Sequence, residues 1–188
     1  MKPSFRTALI IASALLVTEF ATMKSSKALA EPTLVVIVRH ADRGNEPAAD
    51  PALTPEGARR ASALASALAS ANIASIITTQ YRRTRDTAGP LAKALGIEPL
   101  VVPARRDDLS AHVREVADAV RRRSGNVLIV GHSDTVSAIL AALNGPTLPK
   151  LCESSFDHIY VLAYGSPKSS FLSFRYGEPS PAPTEGCQ

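Results

Sequence analysis

Tryptophan is absent from the 188-residue chain, and aromatic residues make up only 5% of it. A stacking platform for nucleic acid or sugar therefore has little to be built from. No apolar run approaches the ~18 residues that a spanning helix needs, which excludes an internal membrane bundle. Cysteine occurs only at positions 152 and 187, with no Cys-x-x-Cys pair, so dithiol redox catalysis is disfavoured. No internal repeat is present, and no linker is long enough to split the chain. Hydrophobic residues at 45% and charged residues at 20% are ordinary for a globular protein, and the length fits one domain.

Most of the formal charge of +4 is carried by the first thirty residues. Lys2 and Arg6 precede the apolar stretch Ala8–Val17, and Ala28-Leu29-Ala30 follows just before Glu31-Pro32. That is the basic, apolar and A-x-A order of a secretory signal peptide, cut after Ala30. Thr18–Lys27 is a long, partly charged spacer, so an upstream cut or an uncleaved anchor is the alternative. Residues 1–30 hold Lys2, Arg6, Lys24 and Lys27 against Glu19. Without them, 17 basic side chains face 16 acidic ones, a net charge of +1. No field for a polyanion remains, which disfavours a nucleic-acid partner. An exported protein with two cysteines is expected to pair them, here tying a Pro-rich tail, 177–188, to a domain spanning 31–176.

Thr33–Val38 is a continuous β-branched run, as a strand covered on both faces reads. Thr54 caps a helix with Pro55 at its first position, running to about Ala71 with a stop at Asn72. Ile73–Thr78 reads as a strand, and Gln80–Leu95 as a helix ended by Gly96. Leu100–Val102 is a short strand. Leu109–Arg123 is a helix that Asp107 or Asp108 can cap. Val127–Val130 is another apolar strand, and Thr135–Leu143 a helix. His158–Tyr164 and Phe171–Tyr176 alternate as strands joined by a turn around Gly165–Pro167. Strands alternating with helices give an α/β fold, a three-layer α/β/α sandwich with a mainly parallel sheet.

Two buried strands end alike, in Val38-Arg39-His40 and Val130-Gly131-His132. Ligands of open parallel sheets bind beyond the carboxyl ends of the strands, so both histidines project toward the expected crevice. Arg82, Arg83 and Arg85 open a helix that follows a strand, where the dipole makes each cation unfavourable by ~0.3–1 kcal/mol. An anion bound there would turn that penalty into attraction. With Arg39, guanidinium forks arrive from two directions, which suits a phosphoryl group. Two histidines, two arginines and no Ser or Cys elbow suggest phosphoryl transfer to an imidazole nitrogen.

Arg39-His40, Leu53-Thr54-Pro55-Glu56-Gly57, Thr79–Arg83 with Thr87-Ala88, and Gly131-His132 follow in this order. Together they resemble the histidine phosphatase superfamily (phosphoglycerate mutase-like), in its compact branch-1 form. The resemblance covers about Leu34–Leu143. It implies that His40 is the phosphorylated nucleophile and that Arg39, Arg83 and His132 bind the phosphoryl group of a small phosphorylated substrate, with no cofactor and no metal. The family's Gly after Arg-His is Ala41 here. By the same resemblance the proton donor is Asp108, with Asp107 and Asp134 as alternatives. A domain this short leaves little room for a lid, so the expected reaction is hydrolysis rather than mutase transfer.

Two other readings stay open. A metal-dependent hydrolase would use the pairs His40-Ala41-Asp42 and His132-Ser133-Asp134, and a non-catalytic envelope protein would bind phospholigands without turnover. His112 and His158 read as structural or surface residues. Arg121–Arg123, at a helix C-terminus where cations are favourable, take no function.

Overall fold

The run Thr33–Arg39 forms strand β1, with Val35–Val38 fully buried. A computed structural model describes residues 33–165, 170–182 and 186–188. The expected signal peptide, residues 1–30, lies outside them, as does most of the turn expected around Gly165–Pro167. The chain continues through α1 (Pro55–Ala67), β2 (Ile73–Thr78), α2 (Arg82–Leu95), β3 (Leu100–Val101) and α3 (Leu109–Arg121). It ends with β4 (Asn126–Gly131), α4 (Val136–Ala142), β5 (His158–Tyr164) and β6 (Phe171–Arg175). The sheet order is β3-β2-β4-β1-β5-β6. The first four strands are mutually parallel, and β5 and β6 add antiparallel at one edge.

Why β1 and β4 are apolar throughout is visible in their neighbours. Alternate residues of a strand point to opposite faces. Val35, Ile37, Val127 and Ile129 pack against α3 and α4 through Val116, Val120, Ile139 and Leu140. Val36, Val38, Leu128 and Val130 pack against α1 and α2 through Leu64 and Leu91. Both faces are covered, so neither residue parity can be polar.

Chain direction explains which helix goes where. From β1 to β2 to β3 the chain crosses the sheet one way, and from β3 to β4 it returns. Right-handed crossovers then put α1 and α2 on one face and α3 on the other. The loops after β1 and β4 diverge to opposite faces although these strands are neighbours. That divergence opens the crevice at the carboxyl end of the sheet where such folds bind ligands.

The helix ends follow from local chemistry. Thr54 Oγ1 accepts from the Gly57 amide at 3.1 Å, with Pro55 at the first position. Gly96 closes α2 in the left-handed region at φ 65°, and Asp108 caps α3 by accepting from the Ala111 amide. The end of the tail is tied to the domain. Cys152 and Cys187 are joined by a disulfide, Gln188 exchanges backbone hydrogen bonds with Lys150 and Cys152, and the Glu178 carbonyl accepts from Arg60.

Candidate active site

His40 and His132 follow β1 and β4 directly. Arg39 pairs with Gly131 in the parallel ladder, and the His40 amide donates to the Gly131 carbonyl at 2.9 Å. The two rings are therefore brought together by strand register, with centroids 5.4 Å apart. Both are almost completely buried.

Around them lies a cavity of about 250 Å³, open on one side. Its lining includes His40, His132, Arg43, Arg83, Arg106 and Glu153. Arg105, Tyr81, His112, Ser133 and Asp134 also reach it.

The His40 ring is held by its Nδ1, 2.8 Å from the Ala41 carbonyl. A carbonyl only accepts, so Nδ1 carries the proton and the neutral ring keeps its lone pair on Nε2. Burial drives its pKa well below the usual imidazole value, and the Arg39, His132 and Arg83 charges push the same way; only the Ala41 carbonyl opposes. A neutral imidazole with a free Nε2 lone pair is the form that can act as a nucleophile. His132 is pushed down to about 3, first by burial and then by Arg83. Its Nε2 lies 3.1 Å from Thr79 Oγ1, and its amide donates to Thr135 Oγ1 at 2.8 Å. Gly131 makes room for that hydroxyl: a Cβ there would stand 2.8 Å from Thr135 Oγ1.

Arg83 is buried against the Tyr81 ring, its Cζ 4.1 Å from the centroid. Tyr81 meets His132 edge-on at 5.6 Å. The helix α2 is pinned to the loop after His40 by Thr87, whose hydroxyl accepts from the Ala41 amide at 2.9 Å and donates to the Arg83 carbonyl at 2.6 Å. Arg82 and Arg85 do not line the cavity, so only one of the three arginines opening α2 serves it.

Arg39 stands behind the cavity wall. Its Nη1 donates to the carbonyls of Cys152 at 2.6 Å and Ser155 at 3.1 Å, and its Nη2 pairs with Glu153 Oε2 at 2.8 Å. Its guanidinium stacks over Phe156 at 4.2 Å. The Nε–H groups of Arg39 and Arg83 are both buried without a protein acceptor. Such donors cost about 1–3 kcal/mol each when left unmade, and an anion supplies acceptors to donors of this kind.

Asp108 is not brought into the cavity. It is exposed and capping α3 through the Ala111 amide at 2.8 Å, and neither it nor Asp107 is in the lining. Asp134 is in the lining. The carboxylate of Asp42, by contrast, is bound at 2.7 Å by Arg60 Nε. Among the described residues no group of three or more His, Cys, Asp or Glu side chains stands close enough to hold a metal ion.

Several contributors have no local signal in the chain. Glu153 is 114 positions from Arg39, yet pairs with it while accepting a short hydrogen bond from Ser133 Oγ. His112, read above as structural or surface, reaches the cavity with Nδ1 3.0 Å from the Pro103 carbonyl. His158 is buried beside the Tyr160 hydroxyl, away from the site. Arg60 is a buried cation on α1 that joins the Asp42 carboxylate to the carbonyls of Tyr176 and Glu178.

No curated protein sequence matches the chain. Among solved structures, the protein histidine phosphatase SixA complexed with tungstate is similar at 19% identity and TM-score 0.62, over 76% of this chain and 97% of that one. A mycobacterial glucosyl-3-phosphoglycerate phosphatase with inorganic phosphate follows at 17% identity and TM-score 0.57, over 78% and 98%. YhfR of Bacillus stearothermophilus is similar at 17% identity and TM-score 0.52, over 69% and 90%. Identities this low speak for a shared fold. A family model of the histidine phosphatase superfamily (branch 1) matches residues 35–107, the segment with Arg39-His40, the Leu53–Gly57 motif, Arg83 and Thr87. Over that segment the chain is similar to the histidine phosphatase superfamily.

Proposed function

We propose that the protein is an exported phosphatase that hydrolyses phosphomonoesters or phosphohistidine through a phosphohistidine intermediate on His40. The observation that carries this reading is the His40 ring: buried, neutral, tied at Nδ1 and free at Nε2, beside His132 and the cavity face of Arg83. Nε2 attacks phosphorus, and the bond to the leaving group breaks with its electron pair. Asp134, the one carboxylate of the three proton-donor candidates in the lining, protonates that group. Water then attacks phosphorus, giving up a proton to the Asp134 carboxylate, while the P–N bond breaks and its electron pair returns to Nε2. Arg83 and His132 balance the equatorial oxygens, and Arg39 adds its charge from behind the ring.

The lining supports an anionic substrate of small size, since four arginines face two carboxylates in about 250 Å³. A protein histidine phosphatase and a glucosyl-3-phosphoglycerate phosphatase are among the similar folds. Export is supported by the signal-like N-terminus and by a cysteine pair joined as a disulfide.

The test is turnover of p-nitrophenyl phosphate and phosphohistidine by wild type and His40→Ala. Wild type should hydrolyse at least one, resist chelators, be inhibited by vanadate, and give an acid-labile phosphoprotein on rapid quenching. His40→Ala should remain folded and lose turnover by at least a thousandfold. Normal turnover in that variant overturns the nucleophile, and loss of wild-type activity on chelation favours a metal hydrolase.

A further inference from the structure

Among the described residues, every hydrogen-bond partner of the Arg39 guanidinium lies in one short segment. Cys152 and Ser155 offer carbonyls, Glu153 its carboxylate, and Phe156 the ring beneath the guanidinium. This segment belongs to the long connection between α4 and β5, with neither helix nor strand to hold it. What holds it is the end of the chain. Cys152 is bonded to Cys187, and its amide donates to the Gln188 carbonyl at 2.8 Å. The Gln188 amide donates to the Lys150 carbonyl at 3.1 Å. Farther along, Ser180 Oγ accepts from the Phe156 amide at 2.8 Å, and the Ser180 amide donates to Asp157 at 3.1 Å.

On its other side the same segment touches the loop of the second histidine. Leu151 donates its amide to the Ser133 carbonyl at 3.1 Å, and Glu153 accepts from the Ser133 hydroxyl. One clasp thus reaches both Arg39 and the residue after His132.

We propose that the Cys152–Cys187 bond is a positioning device for Arg39, so that the site's affinity for a phosphoryl anion depends on that bond being closed. This rests on the function proposed above. Cys152, Cys187 and Glu153 are positioning residues; none needs to touch substrate. The physical reason lies in what the guanidinium leaves free. With both Nη atoms bound to residues 152–155, its Nε–H is the donor without a protein acceptor, and its direction follows the clasp. A clasp that loosens lets a long, rotamer-rich side chain exchange among partners. The charge then stays in the protein but no longer at a fixed place, which weakens a preorganised anion site.

The coupling must be reciprocal. If closing the bond tightens phosphate binding by some factor, bound phosphate favours closure by the same factor. Closure in a glutathione buffer is balanced: oxidised glutathione takes two electrons from the Cys152 and Cys187 thiols, the S–S bond forms, and two reduced glutathione molecules leave.

The experiment measures the inhibition constant of inorganic phosphate against p-nitrophenyl phosphate for wild type and Cys187→Ser, each checked for fold by circular dichroism. We expect the constant to rise about tenfold in Cys187→Ser, with a smaller change in kcat. A clasp that only stabilises the fold would lower Tm and leave the constant where it is, and that result overturns the proposal. Should Cys187→Ser fail to fold, wild type alone decides it. Its oxidised fraction in glutathione buffer is measured with and without saturating phosphate, a tenfold shift toward the disulfide supporting the coupling and no shift refuting it. If wild type neither turns over phosphomonoesters nor binds phosphate, the proposed function itself falls, whereas turnover with an unmoved constant removes only the clasp.

Discussion

A single methyl group at Gly57 tests how the fold builds the site. Gly57 lies in the first turn of α1, where replacing Gly by Ala would by helix propensity alone stabilise by up to ~1 kcal/mol. The structure reverses that sign. A Cβ at Gly57 would stand 2.0 Å from the Asp42 carbonyl oxygen and 3.1 Å from the Asp42 amide nitrogen. The first distance is about 1 Å shorter than packed atoms tolerate, and the obstacle is backbone, not the end of a flexible side chain. Asp42 is in turn held by the Thr54 amide, which donates to its carbonyl, and by Arg60 on its carboxylate. Relief therefore requires α1 to move against the loop that follows His40. Overpacking of this kind costs about 1–3 kcal/mol, and a rigid obstacle places Gly57→Ala toward the upper end. The net is roughly 2 kcal/mol of destabilisation, or a fall in Tm of about 4–8 °C for a domain of this size. The loop that carries His40 moves too, and misplacement of a reacting group on the order of 1 Å costs about a hundredfold in rate. Thermal unfolding and kcat with p-nitrophenyl phosphate measure both effects. A Gly57→Ala protein as stable and as active as wild type would refute the argument.

Two further outcomes follow from the described geometry. The four histidines all have pKa values lowered chiefly by burial, so between the ordinary imidazole value and the folded one the unfolded chain binds more protons than the folded one. Stability present above pH 6.5 is then lost as pH falls from 6.5 toward 3, the folded value for His132. His132 alone contributes roughly 5 kcal/mol across that window, at ~1.4 kcal/mol per pH unit. Urea unfolding at pH 7 and 4.5 should show a shallower loss for His132→Gln than for wild type, and equal losses would count against a neutral buried ring. Asp108→Ala removes a helix cap worth ~1 kcal/mol; the melting temperature should drop by a few degrees while kcat stays within twofold, and a hundredfold loss of kcat would restore Asp108 as proton donor.

Legibility in the chain followed the range of the forces. The runs Val35–Val38 and Val127–Val130 could be read as doubly covered strands because each residue's parity meets its own core, and nothing distant is needed to see it. Thr54-Pro55 and Gly96 announced helix ends through hydrogen bonds and backbone angles that close within four residues. Placement of both histidines followed from the strand ends. Glu153 escaped because its meaning comes from two partners, Arg39 and Ser133, 114 and 20 positions away. Arg60 escaped for the same reason, since the Arg59-Arg60 pair on an Ala-rich helix reads as solvent-facing until the Asp42 carboxylate is seen beside Arg60.

At the start of α2, where a bound anion was expected, the structure shows a carboxylate of the chain itself. Cations at that end of the dipole require a compensating anion, and one is supplied from within the chain. Tyr81 offers no capping side chain; instead Asp50, from the Pro-rich loop before α1, accepts from the Arg82 amide at 2.9 Å and approaches Arg83 Nη1 at 3.8 Å. An internal carboxylate therefore satisfies part of the demand that a bound anion alone was expected to meet. It does not satisfy all of it. Arg83 Nε remains buried and without an acceptor, and Asp50 lies outside the cavity lining while Arg43 and Arg106 add charge inside it. The division of labour is physically reasonable: Asp50 fixes the helix start that aims Arg83, and the arginine faces the cavity already oriented. Preorganisation of that sort is what lets fixed charges act on a transferring phosphoryl group without rearranging during the step.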